Sequence, residues 1–223
     1  MNYALVLAAG SGTRMGTTLP KQFLSIDGDP IYIKSIRRFA ASPLVDGIVL
    51  AVPEAYLAYA KEQLAAAFPD RAIPVISGGA NRSDTLEKLV DFVFDAFPVQ
   101  EDTVLLTHDA VRPFIDERMI RDNVAAAKAY GGCNTVIPAV DTVFQSADGA
   151  FVTGLLDRNT LFYAQTPQSF LAKKFRAMLA SLSDTQKAAV TDACSVFFLC
   201  GEPVRLVQGS PENIKITFPS DLK

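Results

Sequence analysis

The fold of this chain is decided by Ala8-Ala9-Gly10-Ser11-Gly12-Thr13-Arg14-Met15, which directly follows an apolar run over residues 3–7. The apolar run predicts a buried first strand, so the glycine-rich stretch begins at a strand's carboxyl end, where open α/β sheets bind ligands. Gly10 and Gly12 allow a tight turn whose backbone N–H groups face an anion, and Arg14 adds a positive charge. The stretch therefore predicts a polyphosphate site.

A second cation, Lys21, follows seven residues after Arg14. The spacing is not that of a Walker A loop, because no Lys-Ser or Lys-Thr pair follows the glycines, and the third glycine of a dinucleotide fingerprint is missing. A plain glycine-rich turn with two solvated cations is the alternative interpretation. The pattern G-x-G-T-R-M followed by P-K-Q-F resembles the signature of nucleotidyltransferases that join a nucleoside monophosphate to a sugar or polyol phosphate.

The composition is typical of a globular protein. The 223 residues are 49% hydrophobic and 20% charged, which fits one domain over residues 1–223 with a sizeable core. A net charge of -3 gives no general attraction for nucleic acid, so we expect no such partner. No apolar run approaches the roughly 20 residues needed to cross a bilayer, and no basic leader precedes the first strand. We therefore expect a cytoplasmic protein without a membrane partner.

Apolar strands and amphipathic helices alternate along most of the chain. Strands are predicted at residues 3–7, 47–52, 73–76, 103–107, 134–139 and 204–208. Helices are predicted at residues 30–41, 55–68, 119–130 and 171–182, with others after residue 85 and near residues 191–192. This alternation predicts a single three-layer, Rossmann-like α/β domain of the nucleotidyltransferase type with a mostly parallel sheet.

A second glycine-rich loop, S-G-G-A-N-R-S-D-T, contains Gly78, Arg82 and Thr85. One interpretation is a strand-to-helix turn capped by Ser83 or Asp84. Because parallel strands place their carboxyl ends on one edge of a sheet, the alternative is that this loop faces the first and helps to bind the ligand.

The segment H-D-A-V-R-P-F begins at His108, directly after a predicted strand. In one interpretation, Asp109 and Arg112 form an ion pair with each other and bind no ligand. In the other, Asp109 binds a divalent cation or substrate hydroxyl groups and Arg112 reaches a phosphate. His108 itself is interpreted as a turn or packing residue.

Residues 141–158 break the alternation. Residues 141–144 and 151–156 are predicted to pair as a β-hairpin around a turn at residues 146–149. Such a hairpin would project from the domain as an arm, and its apolar side chains need cover. We expect a homodimer in which the partner subunit supplies that cover.

Six ordered motifs carry a resemblance to a known family. They are the first loop, G-G-x-x-R-x-x-T, H-D-A-V-R-P-F, D-R followed by Q-T-P-Q-S-F, T-D-A-C and N-I-K-I-T. The chain resembles the cytidylyltransferases that transfer CMP from CTP to a small polyol phosphate and release pyrophosphate. The A-A-G and D-R motifs look like the methylerythritol phosphate enzymes, whereas H-D-A-V-R-P-F and T-D-A-C look like the ribitol phosphate enzymes.

The resemblance predicts D-ribitol 5-phosphate as the acceptor. The alternative acceptor is 2-C-methyl-D-erythritol 4-phosphate. A more remote alternative is a sugar-phosphate nucleotidyltransferase that uses a nucleotide with another base. It also implies the catalytic residues, which would be Arg14, Lys21 and Lys215. The residues that it implies for CTP binding are Ala8, Ala9, Gly10, Gly12, Gly78, Arg82 and Thr85. Those implied for the polyol phosphate are Asp109, Arg112, Thr166 and Thr191, together with Thr142 and Arg158 from the neighbouring subunit's arm. Mg²⁺ or another divalent cation, held by Asp109, would complete the site.

Overall fold

A computed structural model describes residues 1–10 and 19–222. Gly12 and Arg14 therefore lie outside the described residues, and their predicted roles stay predictions. The strands of the described part are β1 (Asn2–Leu7), β2 (Ser25–Ile26), β3 (Asp29–Pro30), β4 (Gly47–Val52), β5 (Val75–Ser77), β6 (Val104–Asp109), β7 (Gly132–Pro138), β8 (Val143–Gln145), β9 (Gly154–Leu156), β10 (Phe162–Leu171) and β11 (Arg205–Gln208).

The helices over the same ranges are α1 (Ile31–Ala41), α2 (Leu57–Ala67), α3 (Arg82–Ala96), α4 (Glu117–Tyr130), α5 (Ala172–Ser181), α6 (Asp184–Ala188) and α7 (Ala193–Leu199). Short 3₁₀ turns cover Lys21–Phe23, Glu54–Tyr56, Arg158–Thr160 and Pro219–Leu222. No helix in the described ranges is both long enough and apolar enough to cross a membrane.

The central sheet has the strand order β11-β7-β10-β6-β1-β4-β5 in the described part of the chain. Every pairing in it is parallel except those of β10, which runs antiparallel to both β6 and β7. The carboxyl ends of β1, β5 and β6 therefore meet at one edge, where ligands bind in open α/β sheets.

Side-chain alternation along β1 divides the core into two halves. Ala4 and Val6 pack on the face covered by α1, α2 and α4, whereas Tyr3 and Leu5 pack on the face covered by α3, α5 and α7. Successive residues of a strand point to opposite faces, so an apolar run with no polar interruption is buried on both. The predicted three-layer α/β fold with a mostly parallel sheet is confirmed.

Strand β10 is the main element that the sequence prediction missed. It contains Pro167 and the polar residues Gln165, Thr166 and Gln168, a composition that argues against a central strand. The structure accommodates the proline because the pairing of β10 with β7 shifts register between Ala164 and Gln168.

The arm is the antiparallel pair β8 and β9, within the predicted range of residues 141–158. Its turn is closed by side-chain hydrogen bonds, since Ser146 Oγ accepts from the Gly149 backbone N–H and Asp148 Oδ1 accepts from the Phe151 backbone N–H. Gly149 has a φ of 73°, which favours glycine. The predicted hairpin is thus present.

Candidate active site

A cleft of about 500 Å³ lies at the carboxyl ends of the central strands. It is formed by the loop after β1, the loop before α3, the end of β6 and the irregular segment after β11. The residues implied by sequence that line it are Ala8, Ala9, Gly10, Lys21, Arg82, Thr85, Asp109 and Lys215. Residues from four distant parts of the chain thus share one cavity.

The described part of the first loop is held by Gln22, a residue to which the sequence analysis gave no role. Its side-chain Nε2 donates to the carbonyl oxygens of Ala8, at 2.6 Å, and Gly10, at 2.9 Å. Because both carbonyls accept from the same buried amide, Gln22 holds the backbone of the loop in place beside the cleft. The motif P-K-Q-F was the signal that could have identified Gln22.

The second loop packs directly on the first. A Cβ atom added to Gly78 would lie 2.3 Å from the Cβ of Ala9, so only glycine permits this approach. Gly78 thus lies behind the cleft wall, which Gly79 lines. The buried Thr85 hydroxyl accepts from the Gly79 N–H at 3.0 Å and donates to the Asn81 carbonyl at 2.9 Å.

The cap of α3 differs from the predicted one. Asn81, and neither Ser83 nor Asp84, is the N-cap, because its side-chain oxygen accepts from the Asp84 backbone N–H at 2.9 Å. This cap fixes the start of the helix directly beside the cleft, where Arg82 is the first helical residue.

Asp109 ends β6 and is the buried carboxylate of the cleft. Its Oδ1 accepts from Arg82 Nη1 at 2.9 Å and its Oδ2 accepts from Lys215 Nζ at 2.7 Å. Burial alone would raise the pKa of Asp109, but the charges and hydrogen bonds of Arg82 and Lys215 hold that pKa well below its ordinary value. Asp109 is therefore ionised, and it aligns two cations along one wall.

The cleft carries an excess of positive charge. Among the described residues that line it, Lys21, Arg82 and Lys215 oppose the single carboxylate of Asp109. Lys21 Nζ also donates to the Ile216 carbonyl at 2.9 Å, which ties the residue after Lys215 to the first loop. Three cations that are held in place around one cavity suit a polyphosphate ligand.

Two of the residues implied for the polyol phosphate, Arg112 and Thr166, lie behind the cleft wall. Arg112 donates to the backbone carbonyls of Asn213 and Ala164. The buried Thr166 hydroxyl accepts from the Asp109 backbone N–H at 3.1 Å and contacts His108 Nδ1 at 3.0 Å. Both side chains brace the site within this chain, and their predicted contacts with substrate stay predictions.

His108 is fully buried beneath the cleft, and its Nε2 contacts the Arg112 carbonyl at 3.0 Å. Because a carbonyl only accepts, Nε2 carries the proton and Nδ1 is left to accept from Thr166. Burial lowers the pKa of His108 to about 4, so the ring is neutral near pH 7. The interpretation as a packing residue fits this geometry.

Three further residues implied for the acceptor lie outside the cleft of their own chain. Thr142 and Arg158 are exposed and both flank the base of the arm, where Arg158 Nη1 donates to the Val140 carbonyl. Thr191 is exposed beside α7, with its hydroxyl 3.1 Å from that of Ser195. The structure does not bring these three side chains to the cavity that holds Lys21, Arg82, Asp109 and Lys215.

No group of three or more His, Cys, Asp or Glu side chains that could hold a metal occurs in the described ranges. Asp109 is the carboxylate that lines the cleft, and both its oxygens are engaged by cations. The described residues alone therefore form no metal site, and Asp109 fits only as the single protein ligand of a Mg²⁺ ion bound mainly through nucleotide phosphate oxygens, once it releases one of these cations.

Comparison with known proteins identifies the chemistry. The sequence pattern of 2-C-methyl-D-erythritol 4-phosphate cytidylyltransferase, IspD, matches residues 3–223. This chain belongs to the IspD family. It is therefore a nucleotidyltransferase, a CTP-dependent cytidylyltransferase, as the sequence predicted.

Solved structures of IspD enzymes share the fold. A 4-diphosphocytidyl-2C-methyl-D-erythritol synthase is 28% identical, with a TM-score of 0.81 over 99% of this chain and 94% of that one. The corresponding synthase from Anaerococcus prevotii is 26% identical, with a TM-score of 0.81 over 99% and 92%. The Francisella tularensis 2-C-methyl-D-erythritol 4-phosphate cytidylyltransferase is 27% identical, with a TM-score of 0.80 over 99% and 96%.

The preference for ribitol 5-phosphate is not supported by these matches, which favour the methylerythritol alternative. The preference rested on the motifs H-D-A-V-R-P-F and T-D-A-C. In the structure, residues of both motifs have structural roles. His108 is buried under the cleft, Asp192 caps α7, and Cys194 is buried. Similarity of such residues to the ribitol enzymes therefore says little about the polyol that the IspD-family site accepts.

Proposed function

We propose that this enzyme transfers CMP from CTP to 2-C-methyl-D-erythritol 4-phosphate, with release of pyrophosphate. The observation that carries the proposal is the family match over residues 3–223. The cationic cleft supports it, because Lys21, Arg82 and Lys215 converge where a triphosphate and a second phosphate must meet.

The reaction needs alignment more than it needs a base. An acceptor phosphate oxygen forms a bond to the α-phosphorus of CTP, while the bond from that phosphorus to the bridging oxygen breaks and pyrophosphate leaves with the electron pair. A phosphate monoester is already largely dianionic near pH 7, so no proton must be removed from it. This fits a site whose nearest histidine is buried and neutral.

The cations of the cleft would supply the charge stabilisation that this transfer needs. Lys21 and Arg14 are proposed to hold the triphosphate, and Lys215 to approach the α-phosphate from the Asp109 side. Mg²⁺ bound through the phosphates, with Asp109 as its protein ligand, would add positive charge to the leaving group. Asp109 would then give up one of its two ion pairs.

The base and the acceptor are assigned to two separate surfaces. Gly78, Arg82 and Thr85 belong to the loop proposed to recognise cytosine, since backbone groups of a rigid loop can select a small ring. Thr142 and Arg158 are proposed to bind the acceptor phosphate in the site of a second subunit, because in their own chain they are exposed and remote from the cleft. A homodimer through the arm is part of this proposal, as is a cytoplasmic location.

A side-by-side assay tests the substrate. With CTP and MgCl₂ in excess, kcat/KM for pyrophosphate release is measured with 2-C-methyl-D-erythritol 4-phosphate and with D-ribitol 5-phosphate. The first should be preferred by a factor of roughly 10 to 200, since one methyl group in a fitted pocket is worth about 1 to 3 kcal/mol. A preference for D-ribitol 5-phosphate would overturn the acceptor and leave the cytidylyl transfer intact.

A further inference from the structure

Lys215 lies in a stretch of chain that has neither helix nor strand. Residues 209–218 connect β11 to the final 3₁₀ turn without joining the sheet. Beyond the Gly209 N–H, which donates to the Val136 carbonyl at 2.8 Å, the segment has no strand pairing, so the place of Lys215 depends on the separate contacts that fix the segment before and after it.

Three side chains fix this segment just before Lys215. The amide of Asn213, a residue that is 0% exposed, donates from Nδ2 to the Thr166 carbonyl at 2.9 Å. Arg112 Nη1 donates to the Asn213 carbonyl at 2.8 Å. Gln165 Nε2 donates to the Ser210 carbonyl at 2.8 Å, and its Oε1 accepts from Asn213 Nδ2 at 3.3 Å. We call Gln165, Arg112 and Asn213 the latch.

The segment is fixed again directly after Lys215. The Ile216 backbone N–H donates to the Val111 carbonyl at 2.9 Å, and the Ile216 carbonyl accepts from Lys21 Nζ at 2.9 Å. Lys215 is therefore held between two anchored neighbours, and its Nζ meets Asp109 Oδ2 at 2.7 Å.

We infer that Asn213 is a positioning residue for Lys215: its buried amide joins β10 to the irregular segment and so sets where the Lys215 ammonium stands in the cleft. In the sequence, Asn213 and Gln165 stand out only as members of the N-I-K-I-T and Q-T-P-Q-S-F motifs. The inference rests on the proposed catalytic role of Lys215. It extends that role to side chains that do not line the cleft.

The close approach of Gly209 to the latch gives a second way to disturb it. A Cβ at Gly209 would lie 2.3 Å from Gln165 Oε1 and 3.0 Å from Thr135 Cγ2. Gly209→Ala therefore displaces the Gln165 amide from its contacts with Ser210 and Asn213 without replacing Asn213 or Lys215.

The chain also offers a matched control in Asn2. Its buried amide donates from Nδ2 to one backbone carbonyl, that of Leu44, at 2.7 Å. Neither Asn2 nor Asn213 has a partner for its Oδ1 among the described residues. Asn2 begins β1 at the edge of the sheet opposite the cleft. Asn2→Ala thus removes a similar buried bond without touching the latch.

The test is a double-mutant cycle on kcat, with thermal unfolding followed in parallel. Asn213→Ala should lower kcat about tenfold, because a small misplacement of a catalytic group costs up to about 10²-fold, and should change KM for CTP less. In a Lys215→Ala background the same substitution should change kcat by less than about twofold, since it acts through Lys215. Gly209→Ala should lower kcat only when Lys215 is present, and Asn2→Ala should keep the wild-type kcat.

Equal losses from Asn213→Ala in both backgrounds, or a loss of kcat in Asn2→Ala as large as that in Asn213→Ala, would overturn the inference and leave Asn213 with a purely structural part. Wild-type kcat in both Asn213→Ala and Gly209→Ala, beside a slow Lys215→Ala, would overturn it as well. Wild-type kcat in Lys215→Ala is a different result, because it would remove Lys215 from the proposed mechanism itself.

Discussion

The cleft and the arm differ in how far contacts within one chain satisfy their side chains. In the cleft, Asp109 is buried and pairs with two cations. On the arm, Phe151 is 75% exposed, Leu155 68% and Phe144 59%. Large apolar side chains grouped on an exposed hairpin are typical of an interaction surface, and the proposed homodimer would cover them.

This difference matches the proposed division of the two substrates, CTP to the cleft and the acceptor phosphate to the arm. The cations proposed to bind CTP line the cleft of their own chain, whereas Thr142 and Arg158, which are proposed to bind the acceptor phosphate, flank the base of the arm. We therefore expect three separable defects. Changes in the cleft should slow the chemistry, changes of charge on the arm should weaken acceptor binding, and changes of its apolar surface should affect assembly.

The largest effect is expected in the cleft. Lys21→Ala should lower kcat by roughly 10² or more, with a smaller effect on KM for CTP, because a charge that stabilises the transition state is lost. Steady-state kinetics measures this, with Lys128→Ala as the control. Lys128 pairs with Asp102 at a partly exposed surface position, so its loss should leave kcat unchanged. Wild-type kcat in Lys21→Ala would contradict the proposal that the Lys21 charge in the cleft stabilises the transition state.

An intermediate effect is expected from the charge on the arm. Arg158→Ala should raise KM for the acceptor phosphate about tenfold, since a charge-assisted hydrogen bond to phosphate is lost, and should leave KM for CTP within about twofold. The two Michaelis constants are measured with the other substrate saturating. An equal rise in both would show that the arm and the cleft do not divide the substrates as proposed.

The smallest effect on the folded chain is expected from the apolar surface of the arm. Phe151→Ser combined with Leu155→Ser should leave the circular dichroism spectrum unchanged, because both side chains are mostly exposed in their own chain. Sedimentation velocity should then find monomers where the wild-type protein forms dimers. A variant that still sediments as a dimer would place the subunit contact elsewhere.

Much of the fold follows from the sequence because apolar periodicity reports burial. The run before Gly10 is buried on both faces of β1, and the predicted helix at residues 119–130 differs from α4 by two residues at its start. Strand β10 was missed because Pro167 and buried Gln, Thr and Ser side chains look like a loop. Their burial depends on partners such as Asn213 that are distant in sequence.

The parts of the candidate site that could be predicted from sequence are those in which a recognisable motif stands at the end of a predicted strand. Asp109 and the two glycine-rich loops each follow a strand, so the parallel sheet brings them to one edge. The latch was not predictable, because an Asn or Gln in a motif gives no sign of which backbone carbonyl it contacts. The acceptor was predicted as ribitol 5-phosphate from residues such as His108 that are buried beneath the cleft.

One measurement tests most directly whether the cleft of one chain works with the arm of another. Lys21→Ala and Arg158→Ala proteins are mixed in equal amounts, allowed to exchange subunits, and assayed at an acceptor concentration where each alone is nearly inactive. Random exchange makes half of the dimers mixed, each with one intact site, so about one quarter of the wild-type activity should return. Mixed dimers that form and recover no activity would contradict the account.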